Sequence, residues 1–265
     1  DQLLRSGADA LGGAESTATV LFSDIRSFTS LTEELGAQGT VGFLNDYFTL
    51  MVECLQKEGG MLDKFIGDAV MAVFGLPTSS GDDEDRAIRS AIAMQNVLSR
   101  FNSERQQNGE KTISIGIGLH TDQVVSGNIG SPKRMNYTVI GDGVNLASRL
   151  ESACKFYGSC LLVSDSTLRA SKGTYVSRPA DTVIVKGKTE PVLVHELLDF
   201  QAPVMFPERD LVLERYSLGL KAYHSRSWQK AIECFQSALT LHPGDRLSSI
   251  YLERATYLRE NEPLD

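Results

Sequence analysis

Nowhere in these 265 residues does an apolar run approach the roughly 18 residues that a membrane-crossing helix needs. The N-terminus lacks the charged-then-apolar pattern of a secretory leader. The chain starts at Asp1 rather than Met, so a piece of a longer protein is expected. Cysteine is scarce. Cys54, Cys154, Cys160 and Cys234 lie far apart with no C-x-x-C pair, which excludes a zinc or disulfide framework and suits reduced thiols in the cytoplasm. Histidine is scarcer. His120 and His195 have no second histidine at ligand spacing and read as structural residues at strand ends. Positive charge is in deficit: 26 Lys and Arg against 34 Asp and Glu leave a net charge of −8, which argues against a nucleic-acid partner. What remains is ordinary. A hydrophobic fraction of 42% with 23% charged residues builds a proper core, and the length suits one large domain or one domain with an appendage.

Residues 62–74, LDKFIGDAVMAVF, read as a hairpin: a short strand, a Gly67-Asp68 turn and an apolar strand. Such a hairpin has no packing use for Lys64 or Asp68 at its tip. They are either solvated turn charges or groups that bind something. A second stretch, residues 19–29 (TVLFSDIRSFT), runs a buried-type strand straight into Asp24. Two acids at ends of apolar strands, each beside a turn of small residues, suit a divalent-metal site.

In chain order, residues 1–16 are polar and rich in Gly and Ala, and read as a linker. Residues 17–23 form a strand, and 29–36 and 40–56 are helical. In the second helix Val41, Leu44, Tyr47, Phe48, Met51, Val52 and Leu55 line one face. The acids of residues 77–85 start a helix over 85–108, where negative charge suits the helix dipole. Residues 112–120 alternate as a strand, and 124–129 is expected to pair with it across a Thr121-Asp122-Gln123 turn. A short strand at 137–140 precedes a helix at 141–154. Residues 161–163, 181–186 and 192–197 read as strands, with a short helix at 164–170 and a turn over 186–191. The pattern predicts an α+β fold, with helices over one face of a largely antiparallel sheet. Residues 202–207 (APVMFP) form a hinge, after which all is helical. Leu218, Gly219, Tyr223, Trp228, Ala231, Phe235, Ala238 and Pro243 fit a tetratricopeptide (TPR) pattern for one repeat, followed by a helix at 247–260. A single repeat cannot bury its own apolar face, so it packs on the preceding domain or begins a longer array. The segments divide as linker 1–16, domain 17–200, hinge 201–211 and TPR-like segment 212–265.

Four stretches, taken together, carry a resemblance: Phe22-Ser23-Asp24-Ile25, Asp63 to Asp68, Gly141 to Arg149 and Val185-Lys186-Gly187-Lys188. They resemble, in order and in register, the signature stretches of class III adenylate/guanylate cyclases over residues 16–198. The resemblance implies a ferredoxin-like βαββαβ cyclase core that works as a homodimer, with ATP bound at the interface. It implies two Mg²⁺ ions per site, replaceable by Mn²⁺, held by Asp24, Asp68 and the main-chain carbonyl of Ile25. The stretch through Phe28 and Thr29, entering a helix, offers backbone N–H groups to phosphates. Asn145 and Arg149, four apart on one helix face, are implied to position the ribose and to stabilise the α-phosphate transition state. Lys186 aligns with a lysine that holds the terminal phosphates, whereas Lys188 reads as a solvated turn residue.

Base choice follows from the same resemblance. Lys64 can donate to the adenine N1 acceptor, whereas guanine N1 carries a hydrogen. Thr138 stands where the family usually has Asp, and its hydroxyl can still accept from the adenine amino group. A Thr there is similar to a cyanobacterial-type subgroup, many of which respond to bicarbonate. The metal carboxylates would come from one subunit and the base, ribose and α-phosphate residues from the other. The expected activity is adenylate cyclase, a lyase that makes 3′,5′-cyclic AMP and pyrophosphate. The alternatives are a guanylate cyclase, or a non-catalytic cyclase-fold module with a protein-binding helical tail. A diguanylate cyclase is excluded by the lack of a GG-D/E-EF stretch.

Overall fold

A computed structural model describes residues 13–131, 133–184, 191–201, 206 and 208–261. Strand β1 (Ala14–Ile25) leads through a two-residue turn into helix α1 (Phe28–Lys57), which is broken at Gly36, where φ is 65°. This break separates the two helices expected from the sequence. β2 (Met61–Ile66) and β3 (Ala69–Phe74) form the hairpin, followed by α2 (Asp83–Gln107) and β4 (Ile115–Ser131). These six elements make a βαββαβ unit with strand order β2-β3-β1-β4, antiparallel throughout. Next come β5 (Arg134–Ile140), α3 (Asp142–Tyr157), β6 (Leu161–Ser164), α4 (Asp165–Ala170), β7 (Ser177–Val183) and β8 (Val192–Leu197). The sheet extends to β2-β3-β1-β4-β6-β8-β7, with β5 paired to the far end of β4. Among the described residues only β4 and β6 run parallel. Helices α5 (Arg209–His224), α6 (Trp228–Leu241) and α7 (Arg246–Glu260) close the chain.

Two expectations are corrected. Residues 121–123 are not a turn. β4 passes through them unbroken, because β1 pairs with it along its length and Thr19 Oγ1 meets Thr121 Oγ1 at 2.8 Å. The outer half of β4 pairs with β5 instead, from Val125 with Ile140 to Ser131 with Arg134. Nor do the helices share one face. Alternation along β1 sends Leu21 and Ile25 into a core with α1 and α2, and Val20 and Phe22 into another with Ala147 of α3. α3 reaches the sheet closely because β4 carries glycines there. A Cβ on Gly118 would lie 2.3 Å from the Ala147 carbonyl oxygen and from the Glu151 nitrogen.

The last three helices pack against α3 and against β6, β7 and β8. Tyr216, Leu220, Phe235, Ile250 and Tyr251 join Leu150, Cys154 and Tyr157 of α3 in one apolar core. Buried polar contacts fix the docking. Arg178 of β7 donates to Glu196 at 2.7 Å and to Asp245 at 2.9 and 2.5 Å. Arg254 of α7 and Tyr157 of α3 both donate to Asp181, at 2.7 and 2.8 Å. Of the expected hinge over 201–211, Phe206 is buried against Leu198, Val212 and Ala238, residues 209–211 already belong to α5, and residues 202–205 and 207 lie outside the described residues. No described helix is long and apolar enough to cross a membrane. All four cysteines are free thiols. His120 is buried against Ser164 Oγ at 2.8 Å, and His195 meets Asp165 at 3.1 Å.

Candidate active site

β1 ends at Asp24 and Ile25, beside the β2–β3 turn. That turn needs a left-handed residue, and Gly67 supplies it with φ 65°. Asp68 follows, so two strands deliver two carboxylates to one place. Burial, followed by the contact with Asp24, pushes the Asp68 carboxyl up to about 6. Its Oδ2 is buried with no hydrogen-bond partner. An orphaned oxygen and a neighbouring carboxylate make a costly pair unless a cation joins them. The two carboxylates make a hard, oxygen-only donor set. That fits a divalent cation of the magnesium kind, which keeps waters and substrate oxygens in its remaining positions. No cluster of three or more Asp, Glu, His or Cys side chains occurs among the described residues, so protein ligands alone would not enclose it.

Ser27, in the left-handed region at φ 57°, turns the chain from β1 into α1. The first N–H groups of α1, beginning at Phe28 and Thr29, have no partner within the helix. Ser27 makes no side-chain cap there and the first turn holds no acid. α2 differs, with Asp83, Glu84 and Asp85 in its first turn. Asp85 is more than the helix starter read from sequence. It accepts from Lys172 N, Gly173 N and the Tyr175 hydroxyl, which hold its carboxyl below the usual range against the cost of burial. The uncapped, acid-free start of α1 is the end suited to an anion.

Behind the carboxylates lie groups that the sequence reading missed. The Tyr47 phenol is fully buried, and burial pushes its pKa up, with Asp24, Asp68 and Glu151 adding to the shift and Ser23 opposing it. Arg26 Nη1 meets Glu151 Oε1 at 3.0 Å and its Nη2 donates to the Glu151 carbonyl at 2.8 Å. This ties the turn after Asp24 to α3. Gly116 of β4 makes the room, since a Cβ there would lie 1.6 Å from Arg26 Nη2. Burial raises the Glu151 carboxyl, and Arg26 opposes the shift. A helical tyrosine in an apolar face and an Arg–Glu pair 125 residues apart carry no sequence signal beyond ordinary core and surface patterning.

The other expected residues form two further groups. Lys64 of β2 and Thr138 of β5 meet: Lys64 Nζ donates to Thr138 Oγ1 at 3.0 Å. Asn145 and Arg149 are exposed on α3, with Leu146, Leu150 and Glu151 turned inward. Arg149 lines a cavity of about 330 Å³ with Tyr157, Val183, Ile184 and Val194, and neither Asp24 nor Asp68 reaches it. β3 and β8 are four strand positions apart, ~19 Å across the sheet. Lys186 and Lys188 lie outside the described residues.

Residues 13–198 match the family model described as the adenylate and guanylate cyclase catalytic domain. The chain is similar to a terminal-differentiation-specific adenylate cyclase of Dictyostelium discoideum, 35% identical over 247 residues, 89% of this chain and 11% of that protein. It is also similar to an adenylate cyclase of Anabaena cylindrica, 41% identical over 194 residues, 70% of this chain and 38% of that one. Among solved structures, the adenylyl cyclase CyaB from P. aeruginosa is 36% identical with a TM-score of 0.66, over 72% of this chain and 98% of the other. The guanylyl cyclase Cya2 is 37% identical with the same TM-score of 0.66, over 73% and 97%. The chain thus spans well under half the length of those two curated relatives, while it covers almost all of both solved domains.

Proposed function

The chain belongs to the adenylate and guanylate cyclase catalytic domain family, and on that premise we propose that it converts ATP to 3′,5′-cyclic AMP and pyrophosphate. The observation that carries the reading is the Asp24–Asp68 pair with its orphaned oxygen, beside the uncapped start of α1. In the reaction the ribose 3′-oxygen bonds to the α-phosphorus, the bond to the β-phosphate oxygen breaks, and the hydroxyl proton is lost. Class III cyclase domains use divalent metal ions. Bound between Asp24, Asp68 and the Ile25 carbonyl, two such ions would lower the hydroxyl pKa and offset phosphate charge.

The protein's own groups do the rest. The N–H groups at Phe28 and Thr29 hold phosphate oxygens. Arg149 offers a planar fork to the α-phosphate and Asn145 orients the ribose. Lys186 holds the terminal phosphates. Lys64 and Thr138 read the base. The ammonium has three N–H donors, of which Thr138 takes one and Asp63, at 3.2 Å, a second. The third suits the N1 acceptor of adenine and opposes the N1–H of guanine. Because cyclases of both specificities are about equally similar to this chain, the base contacts carry the choice of ATP.

That Arg149 lines a cavity to which neither Asp24 nor Asp68 contributes supports sites shared between two copies. Domains of this family generally work as dimers. The test is turnover of ATP and GTP by the purified chain with Mg²⁺ or Mn²⁺, with and without bicarbonate. Cyclic AMP as the main product is expected. Cyclic GMP as the main product, or no cyclic nucleotide at all, rejects the reading.

A further inference from the structure

The β2–β3 ladder has one irregularity. Leu62 pairs with Ala72 and Lys64 with Met71, so Asp63 is an extra residue in a bulge. In a regular strand Asp63 and Lys64 would point to opposite faces. The bulge breaks that alternation, and both side chains reach the same hydroxyl. Thr138 Oγ1 donates to Asp63 Oδ2 at 3.0 Å while it accepts from Lys64 Nζ at 3.0 Å. The ammonium also meets Asp63 Oδ2 at 3.2 Å. The Lys64 side chain is 43% exposed and the Asp63 side chain 0%. Asp63 therefore cannot touch a base that Lys64 and Thr138 touch, and its Oδ1 is buried with no hydrogen-bond partner. A carboxylate held this way has no evident packing benefit.

We propose that Asp63 is a positioning residue for purine choice, which fixes the Thr138 hydroxyl as an acceptor; this rests on Lys64 and Thr138 being the base contacts. A hydroxyl has one proton and two lone pairs. Alone it is ambivalent: it accepts from the amino group of adenine or rotates to donate to the carbonyl of guanine. Asp63 takes the proton and Lys64 one lone pair. What is left for a base is a single acceptor, which matches adenine and faces the guanine carbonyl with like polarity. A neutral threonine thus does the work of the aspartate usual at its position. The bulge is what lets one strand supply both the lysine and the group that orients its partner.

The test compares kcat/KM for ATP and GTP in the wild type, Asp63→Ala, Thr138→Val and the double variant. Competition of the two nucleotides for a fluorescent ATP analogue gives a readout without turnover. Asp63→Ala is expected to lower the ATP:GTP ratio about tenfold, since a misdirected buried hydrogen bond is a strong discriminator. In the Thr138→Val background the same change should move the ratio less than about twofold, because the hydroxyl it acts through is gone. If Asp63→Ala fails to fold, Asp63→Asn carries the test, with a drop of about threefold expected. An unchanged ratio in the folded variant, or an effect as large in the Thr138→Val background as in the wild type, overturns the proposal. A wild type with no preference for ATP fails at an earlier step: the base contacts themselves are then misread, and the role of Asp63 falls with them.

Discussion

Asp68 is the residue whose environment makes the most specific demand. Its carboxyl sits at about 6 in the fold, chiefly through burial and then through Asp24, against about 3.8 when exposed. A raised acid favours the folded state while protonated. That contribution is present below about pH 4 and is lost as pH rises through about 6. Above that range Asp68 is charged beside Asp24 in the metal-free domain, and below it a divalent cation competes with the proton. Mn²⁺ affinity, measured by calorimetry, should rise between about pH 5 and about pH 7 and then level. Asp68→Asn should abolish the binding and raise the melting temperature of the metal-free domain, because the charge conflict is gone. Binding that is flat across this range would detach Asp68 from the metal.

At the scale of elements, α3 depends on the missing side chains of β4. Gly118→Ala puts a methyl 2.3 Å from backbone atoms of α3, which cannot rotate away. A loss of about 1–3 kcal/mol is expected in urea unfolding, as for other overpacked sites. Gly116→Ala instead meets the end of Arg26, a flexible side chain, and should cost less stability while loosening the Arg26–Glu151 tie. These elements also mark what the sequence could reveal. Asp24, Asp68, Lys64 and Thr138 stand out in the sequence because each sits at a strand end or in a short motif, where local pattern determines position. Lys64 and Thr138, read from separate motifs, are brought within 3.0 Å of each other by the pairing of β4 with β5 and of β2 with β3. The turn at Thr121-Asp122-Gln123 was misread because polar residues in a long central strand look like a break until Thr19 is placed opposite. The two-sided sheet was hidden for a related reason: Gly116 and Gly118 read as weak strand residues, when they are the seat of a helix. Tyr47 and Glu151 had no signal, since their partners are distant in sequence, and Asp63, although inside a signature stretch, was given no role because the bulge that turns it toward Thr138 is not readable locally.

The described residues form one packed body, with α5 to α7 sharing an apolar core with α3. Arg178 joins β7 to Glu196 of β8 and to Asp245 at the start of α7, with all three side chains nearly buried. Truncating Arg178 to Ala would leave two buried carboxylates uncompensated, at a cost of about 3–5 kcal/mol. A single unfolding transition is expected for the full chain, shifted to lower urea in Arg178→Ala. Two separate transitions would mean that α5 to α7 fold independently of the sheet. Docking places these helices against α3, the element that presents Asn145 and Arg149.

The central claim is that one chain holds both halves of a cyclase site but cannot bring them together alone. Mixing Asp24→Ala chains with Arg149→Ala chains tests it directly. Each variant should be inactive by itself. The mixture should regain ATP cyclisation, because a mixed dimer rebuilds one site with an intact Asp24 from one chain and an intact Arg149 from the other. A mixture as inactive as its parts, with dimers present by light scattering, would contradict the account.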